Sequence, residues 1–144
     1  MPASSANPGF GIKFKVGNGA SPEVFTEEAE VRGVPGVGYS HAMAEVTNMS
    51  SPSGWAEYIA TQVKESKEFT LPLNFVADSV SQLALYQTKA AAGTKTNYQL
   101  LFTDDGASTL TFAAFISDVN IDHELRDAAM LNLTFRPTGV YTWA

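Results

Sequence analysis

The sequence predicts an α+β fold, a β-sandwich or half-open β-barrel carrying one α-helix. Three observations carry the prediction. Apolar and polar residues alternate in several separate stretches, the period of a strand with one buried face. Only one stretch, near residues 79–92, has helical signals at both ends. Nine Phe, five Tyr and two Trp supply the large, stiff apolar faces that fill sheet-based cores. A chain of 144 residues that is 44% hydrophobic and 17% charged fits one domain with one core.

The first ten residues, rich in Ser, Ala, Pro and Gly, read as a flexible N-terminal arm, and residues 11–144 as the single domain. Ile12, Phe14 and Val16 alternate with Lys13 and Lys15 in a first strand, and Gly17-Asn18-Gly19 turns the chain. A second strand is expected from Phe25 to Arg32, with Ala29 and Val31 on one face and Glu28, Glu30 and Arg32 on a polar, exposed face. Gly33 to His41 reads as a long loop, expected to tolerate shortening. Its Val34, Val37 and Tyr39 are more apolar than a passive loop requires.

Met43 to Thr47 reads as a short strand, and Ser50-Ser51-Pro52-Ser53-Gly54 as a loop before Trp55-Ala56-Glu57-Tyr58-Ile59. Phe69, Leu71, Leu73 and Phe75 share one face of the clearest strand. Pro72 within it cannot donate to a ladder, which predicts an edge or a bulge. Ser79 and Gln82 have the spacing of a capping box, Val80, Leu83 and Ala84 form the expected apolar face, and Gly93 is the stop.

A hairpin follows. Tyr98, Leu100 and Phe102 alternate on one arm, Asp104-Asp105-Gly106 turns the chain, and Leu110, Phe112, Ala114 and Ile116 alternate on the other. The apolar phase slips by one residue at Ser117-Asp118, the signature of a bulge. After a turn from Glu124 to Asp127, a last strand with Ala129, Leu131, Leu133 and Phe135 inward is expected to end at Pro137-Thr138-Gly139. Val140 to Trp143 is an apolar tail.

No constellation of catalytic residues emerges, so no enzyme activity and no cofactor are expected. His41 and His123 lack the spacing of metal ligands. There is no cysteine, and no G-x-S-x-G elbow accompanies the serines. Asp104 and Asp105 are explained as turn chemistry. The formal net charge of −6 opposes nucleic-acid reading, which needs clustered cations. No apolar run approaches the roughly 20 residues of a membrane-spanning helix, and the first residues lack a basic and then apolar leader. Exposed aromatics such as Trp55, Tyr58, Tyr39, Tyr141 and Trp143 suit either subunit contacts or, as an alternative function, a carbohydrate-binding sandwich or virion decoration module.

The order of elements resembles the major tail tube proteins of long-tailed, siphovirus-like bacteriophages. The resemblance covers about residue 10 to the end. It rests on Glu45-Val46-Thr47-Asn48, a Ser-Pro loop, Trp55-Ala56-Glu57-Tyr58-Ile59, the Phe69 to Phe75 strand, a single helix, the long hairpin and a final strand into Pro137-Thr138-Gly139. Glu45 and Asn48 depart from the residues more familiar there.

The resemblance implies a structural subunit forming homohexameric rings stacked into a tube around a lumen for genome passage. The implied partners are other copies of the chain, tape-measure, tail-tip and tail-terminator proteins, and phage DNA that passes without specific binding. The implied location is the virion tail, after synthesis in the host bacterial cytoplasm. By the same analogy the region from Val31 to Asn48 and the N-terminal arm contact the next ring, and the helix lies outside the inner barrel. Ring-stacking candidates are Val34, Val37, Tyr39, Val46, Thr47, Trp55 and Tyr58. Glu28, Glu30 and Asp118, on polar faces of expected strands, are the lumen candidates, because an acidic lumen repels phosphate.

Overall fold

In the computed structural model, all residues are described except 1, 2, 5, 7–9, 35, 104, 105, 124 and 127. The Asp104-Asp105 turn signal, the ends of the Glu124 to Asp127 turn and most of the N-terminal arm lie outside the described residues.

Alternation places the strands where burial rewards it. The elements are β1 (Lys13–Gly17), β2 (Phe25–Glu27), β3 (Tyr39–Glu45), β4 (Tyr58–Ser66), β5 (Phe69–Asn74), β6 (Thr96–Leu101), β7 (Thr109–Asp122) and β8 (Met130–Trp143). One helical segment, α1 (80–92), joins β5 to β6. Six strands form one antiparallel sheet in the order β2-β1-β6-β7-β8-β5, and β3 and β4 pair as a separate hairpin.

The core is the inner face of the six-stranded sheet. Phe14, Phe69, Leu71, Leu73, Tyr98, Leu100, Phe112, Ile116, Leu131, Leu133 and Phe135 are all buried on it, with Leu85 of α1. The rings of Phe14 on β1 and Phe135 on β8 lie 5.6 Å apart, although β6 and β7 stand between those strands. Three inter-strand steps in a flat sheet span about 14 Å, so the sheet is strongly curled. This is the half-open barrel.

Its seam is crossed by residues 28–32. The Glu28 amide donates to the Phe14 carbonyl at 2.8 Å, the Arg32 amide to Pro72 O at 2.9 Å, and the Asn74 amide to Glu30 O at 2.9 Å, with a bridge between Val31 and Leu73. The expected strand through Arg32 is therefore cut short. β2 stops at Glu27, Glu30 turns at φ 69°, and Glu28 points inward at 6% exposure, not onto a polar face.

Pro72 sits on the outermost strand, as expected from its missing donor. Pro72 and Asn74 bond outward to residues 30–32, so by alternation the absent N–H lies on the outer side and interrupts no bond to β8. The same alternation explains why Pro137 does not end β8. Its nitrogen faces the side where β5 has already stopped, at the Phe69–Phe135 pair, and β8 continues to Trp143 against Leu110. The apolar tail is thus strand, relieved by an irregular register between Ala113 and Thr111 beside Gly139, whose φ is 82°. The phase slip at Ser117 is a register shift between Ile116 and Asp118.

The segment α1 comprises an α turn, Val80–Leu83, a π turn, Ala84–Lys89, and an α turn, Ala90–Ala92, closed by Gly93 at φ 66°. Ser79 caps it by accepting from the Gln82 amide at 3.4 Å. The other half of the expected capping box is absent. Gln82, 1% exposed, instead accepts from the Val76 amide and donates to Asn74 O, tying the helix start to the end of β5. Val80 and Leu83 do not form the buried face, Val80 being 80% exposed. Leu85, Tyr86 and Ala90 face the core instead, because the π turn adds a residue and rotates the following side chains.

Candidate assembly interface

The hairpin β3–β4 was only half legible in the sequence. Its first strand begins at Tyr39, inside the expected loop, and ends at Glu45, short of Thr47. Its second strand, with eight of nine residues exposed, has no alternation to find. Met43, Tyr58, Ile59 and Val63 are large, apolar and exposed. A two-stranded hairpin is marginal by itself, and exposed apolar patches of this kind mark contact surfaces.

Local bonds shape it. The register shifts between His41 and Met43, opposite Gln62, which takes φ 70°, while Thr61 Oγ1 donates to Ala42 O at 2.9 Å. At the tip, Asn48 Oδ1 accepts from the Ser50 amide and Ser51 Oγ from the Asn48 amide. Across the loop, Ser51 Oγ donates to Glu57 Oε2 and Thr47 Oγ1 accepts from the Glu57 amide. This rigid turn presents Trp55, 75% exposed.

Three contacts fasten the hairpin root to the sheet, and one backbone bond closes the root itself. Arg136 Nη2 donates to Glu65 Oε1 at 2.9 Å, and the Tyr39 and Tyr141 rings lie 5.6 Å apart. Gly38 O accepts both from the Tyr141 hydroxyl at 3.2 Å and from the Lys67 amide at 2.8 Å. Beside them runs a groove of about 520 Å³ lined by Tyr39, Lys64, Glu65, Arg136, Tyr141 and Trp143.

The candidate residues separate into groups. Tyr39, Val46, Trp55 and Tyr58 present exposed apolar side chains on or beside the hairpin, and Thr47 spends its hydroxyl on the hairpin's own loop. Val34 and Val37 pack partly buried against the core, so their apolar character is explained within the chain. Removing Val34 and Val37 is therefore expected to cost core packing.

Among the lumen candidates, Asp118 is exposed at the β7 bulge. Glu30 is exposed and accepts from Asn74 Nδ2 at 3.0 Å. Glu28 does not belong with them. Its carboxylate is buried beneath α1 and accepts from Ser81 Oγ at 3.2 Å. Burial pushes its pKa up, against the lowering effects of Ser81 and of the nearby Lys89 cation.

Sequence reasoning did not single out Met43, Ile59 and Val63 as exposed apolar residues. The available signal was two flanks of similar length around the Ser50 to Gly54 punctuation, each too apolar for loop and too irregular for a half-buried strand.

No protein-family model matches the chain, and a search of curated proteins gave no match. Solved structures do match over nearly the whole length. A chain in the virion of a native gene transfer agent particle aligns with TM-score 0.75 and 16% identity, over 96% of this chain and 99% of that one. One in the tail of an empty gene transfer agent particle, refined with C6 symmetry, aligns with TM-score 0.73 and 15% identity over the same shares. The SPP1 tail tube aligns with TM-score 0.63 and 7% identity over 99% of this chain and 78% of that one. At these identities the likeness is one of fold, and the fold of this chain is the tail-tube fold.

Proposed function

We propose that the chain is the structural subunit of a phage-like tail tube, assembling as hexameric rings that stack around a lumen. The observation that carries this reading is the β3–β4 hairpin, with Met43, Tyr58, Ile59 and Val63 exposed on its two strands, Trp55 exposed on the loop between them, and no residue of either strand fully buried. An exposed apolar surface of that kind marks a contact site for a partner.

Strand edges support the same reading. Among the described residues, β2 ends the six-stranded sheet with no strand on its outer side, and the hairpin adds two further open edges. Pairing such edges between copies around a closed ring removes them from solvent without an open-ended stack of strands. The sixfold symmetry of the gene transfer agent tail supports six copies per ring.

In this reading the hairpin, through Tyr39, Val46, Thr47, Trp55 and Tyr58, meets the neighbouring copies. Val34 and Val37 act from below by holding its root. Glu30 and Asp118 face the lumen, where fixed negative charge keeps DNA from adhering. Tape-measure, tail-tip and terminator proteins occupy the inside and the ends of the tube, which belongs to the virion tail and is built from subunits made in the bacterial cytoplasm.

Negative-stain microscopy of concentrated protein, alone and with tail-tip initiator, tests the proposal. Rings or tubes of uniform diameter with six subunits per turn are expected. A strictly monomeric species in both samples overturns it.

A further inference from the structure

Residues 28–32 close the barrel seam in an unusual way. A ladder would close it with regular backbone pairs, whereas here one bridge, Val31–Leu73, and the amides of Glu28, Arg32 and Asn74 make the backbone link. Side chains supply the rest. Ser81 Oγ donates to Glu28 Oε1, Asn74 Nδ2 to Glu30 Oε2, and Arg32 Nη1 to Met130 Sδ. Two features oppose closure. Glu30 holds a left-handed φ of 69°, uncommon for a residue with a side chain, and a carboxylate is taken out of water at Glu28.

We propose that residues 28–32 form a releasable strap, latched by Glu28 on Ser81, whose opening uncovers the outer edge of β5. Opening returns the Glu28 carboxylate to water and relaxes Glu30. It frees Pro72 O and the Asn74 amide, the two groups of β5 that the strap covers. The hydrophobic core beneath stays paired through β5–β8.

The pH response follows from what surrounds Glu28. From α1 it meets Ser81 and Lys89, and Lys89 also feels Glu23 of the β1–β2 loop. Of the ions on β1 and β2, Lys13 pairs with Glu27 at 3.8 Å, leaving Lys15. Glu30 and Arg32 within the strap are held by Asn74 and Met130, and Asp78 lies exposed before α1. The closed strap raises the Glu28 pKa above 4.5, burial being the chief cause. A raised acid binds its proton more tightly in the closed state, so closure is fully favoured below the open-state pKa and weakens as pH rises through the closed-state value. Burial lowers the Lys89 pKa from 10.5, against the raising effects of Glu28 and Glu23.

Amide hydrogen exchange on the unassembled full chain, read residue by residue and corrected for intrinsic rates, tests the strap. Arg32 and Asn74 amides are expected to open together and more often than the β5–β8 ladder. Their opening constant rises as pH increases through the range in which Glu28 ionises. Ser81→Ala, at an exposed position, raises strap opening by about tenfold and leaves the ladder unchanged. Glu28→Gln, which keeps an acceptor for Ser81, flattens the pH response. The proposal is overturned if strap and ladder exchange at one rate, if Ser81→Ala accelerates both equally or neither, or if the pH response survives in Glu28→Gln.

Discussion

Arg136 on β8 reaches across to Glu65 on β4, its Nη2 2.9 Å from Glu65 Oε1, and this is the ionic tie between the hairpin and the sheet. Both side chains are about half exposed or more, so the pair is screened and worth at most about 1 kcal/mol. Arg136→Ala is expected to lower global stability by less than that in chemical denaturation. Its larger effect is local, with faster proteolysis of the hairpin as its root loosens. Equal protection of the hairpin in both proteins would remove this tie from the account.

Phe135 is the centre of the aromatic core. Its ring lies 5.6 Å from Phe14, 5.1 Å from Phe69 and 5.0 Å from Tyr98, so it joins side chains from three other strands. Phe135→Ala is expected to cost about 3–5 kcal/mol, measured by equilibrium unfolding. A loss under about 1 kcal/mol would mean that the curled sheet collapses around the gap.

Tyr98 carries a buried hydroxyl with no group at hydrogen-bonding geometry among the described residues. Burial pushes its pKa up to about 12, the Thr96 hydroxyl offsetting little of this. In the unfolded chain the phenol ionises near its ordinary value of 10.0. Stability from Tyr98 is therefore complete below that value and is lost as pH rises toward about 12. Tyr98→Phe should fold at least as stably at neutral pH, since it removes a buried polar group without a partner. It should also resist alkaline unfolding better than the parent when melting temperature is followed against pH.

Trp55 and Tyr58 test the interface apart from the fold. Both are exposed in the chain, so Trp55→Ala and Tyr58→Ser should change monomer stability by no more than about 0.5 kcal/mol. Tube formation, followed by light scattering and microscopy, should fall sharply in both, and further in the double variant. Unchanged assembly would exclude this face.

Cutting out residues 33–41 is expected to damage the fold. The cut removes Val34 and Val37 from the edge of the core, Gly38 O from two hydrogen bonds, and the first three residues of β3. Circular dichroism and thermal melting of that deletion should show a loss of cooperative unfolding, where a passive loop would have left it intact.

The sequence by itself determined the strands that bury one face, because period-2 alternation is written locally. Ile12 to Val16, Phe69 to Phe75, the Tyr98 to Ile116 hairpin and its slip at Ser117 were all legible, as was the helix between Ser79 and Gly93. The α+β class and the tail-tube resemblance followed from their order.

Tertiary structure alone decided what depends on a distant partner. The inward turn of Glu28 exists because Ser81 and the seam lie beside it, 53 positions away in the chain. The inward placement of Leu85, Tyr86 and Ala90 on α1 comes with a π turn that no local signal announced. β8 runs through Pro137 because the pairing with β5 goes no further than Phe69–Phe135, two residues before that donor would be needed. The β4 strand escaped notice for the opposite reason. Eight of its nine residues are exposed, so no alternation marks it, and only its pairing with β3 revealed an exposed apolar surface.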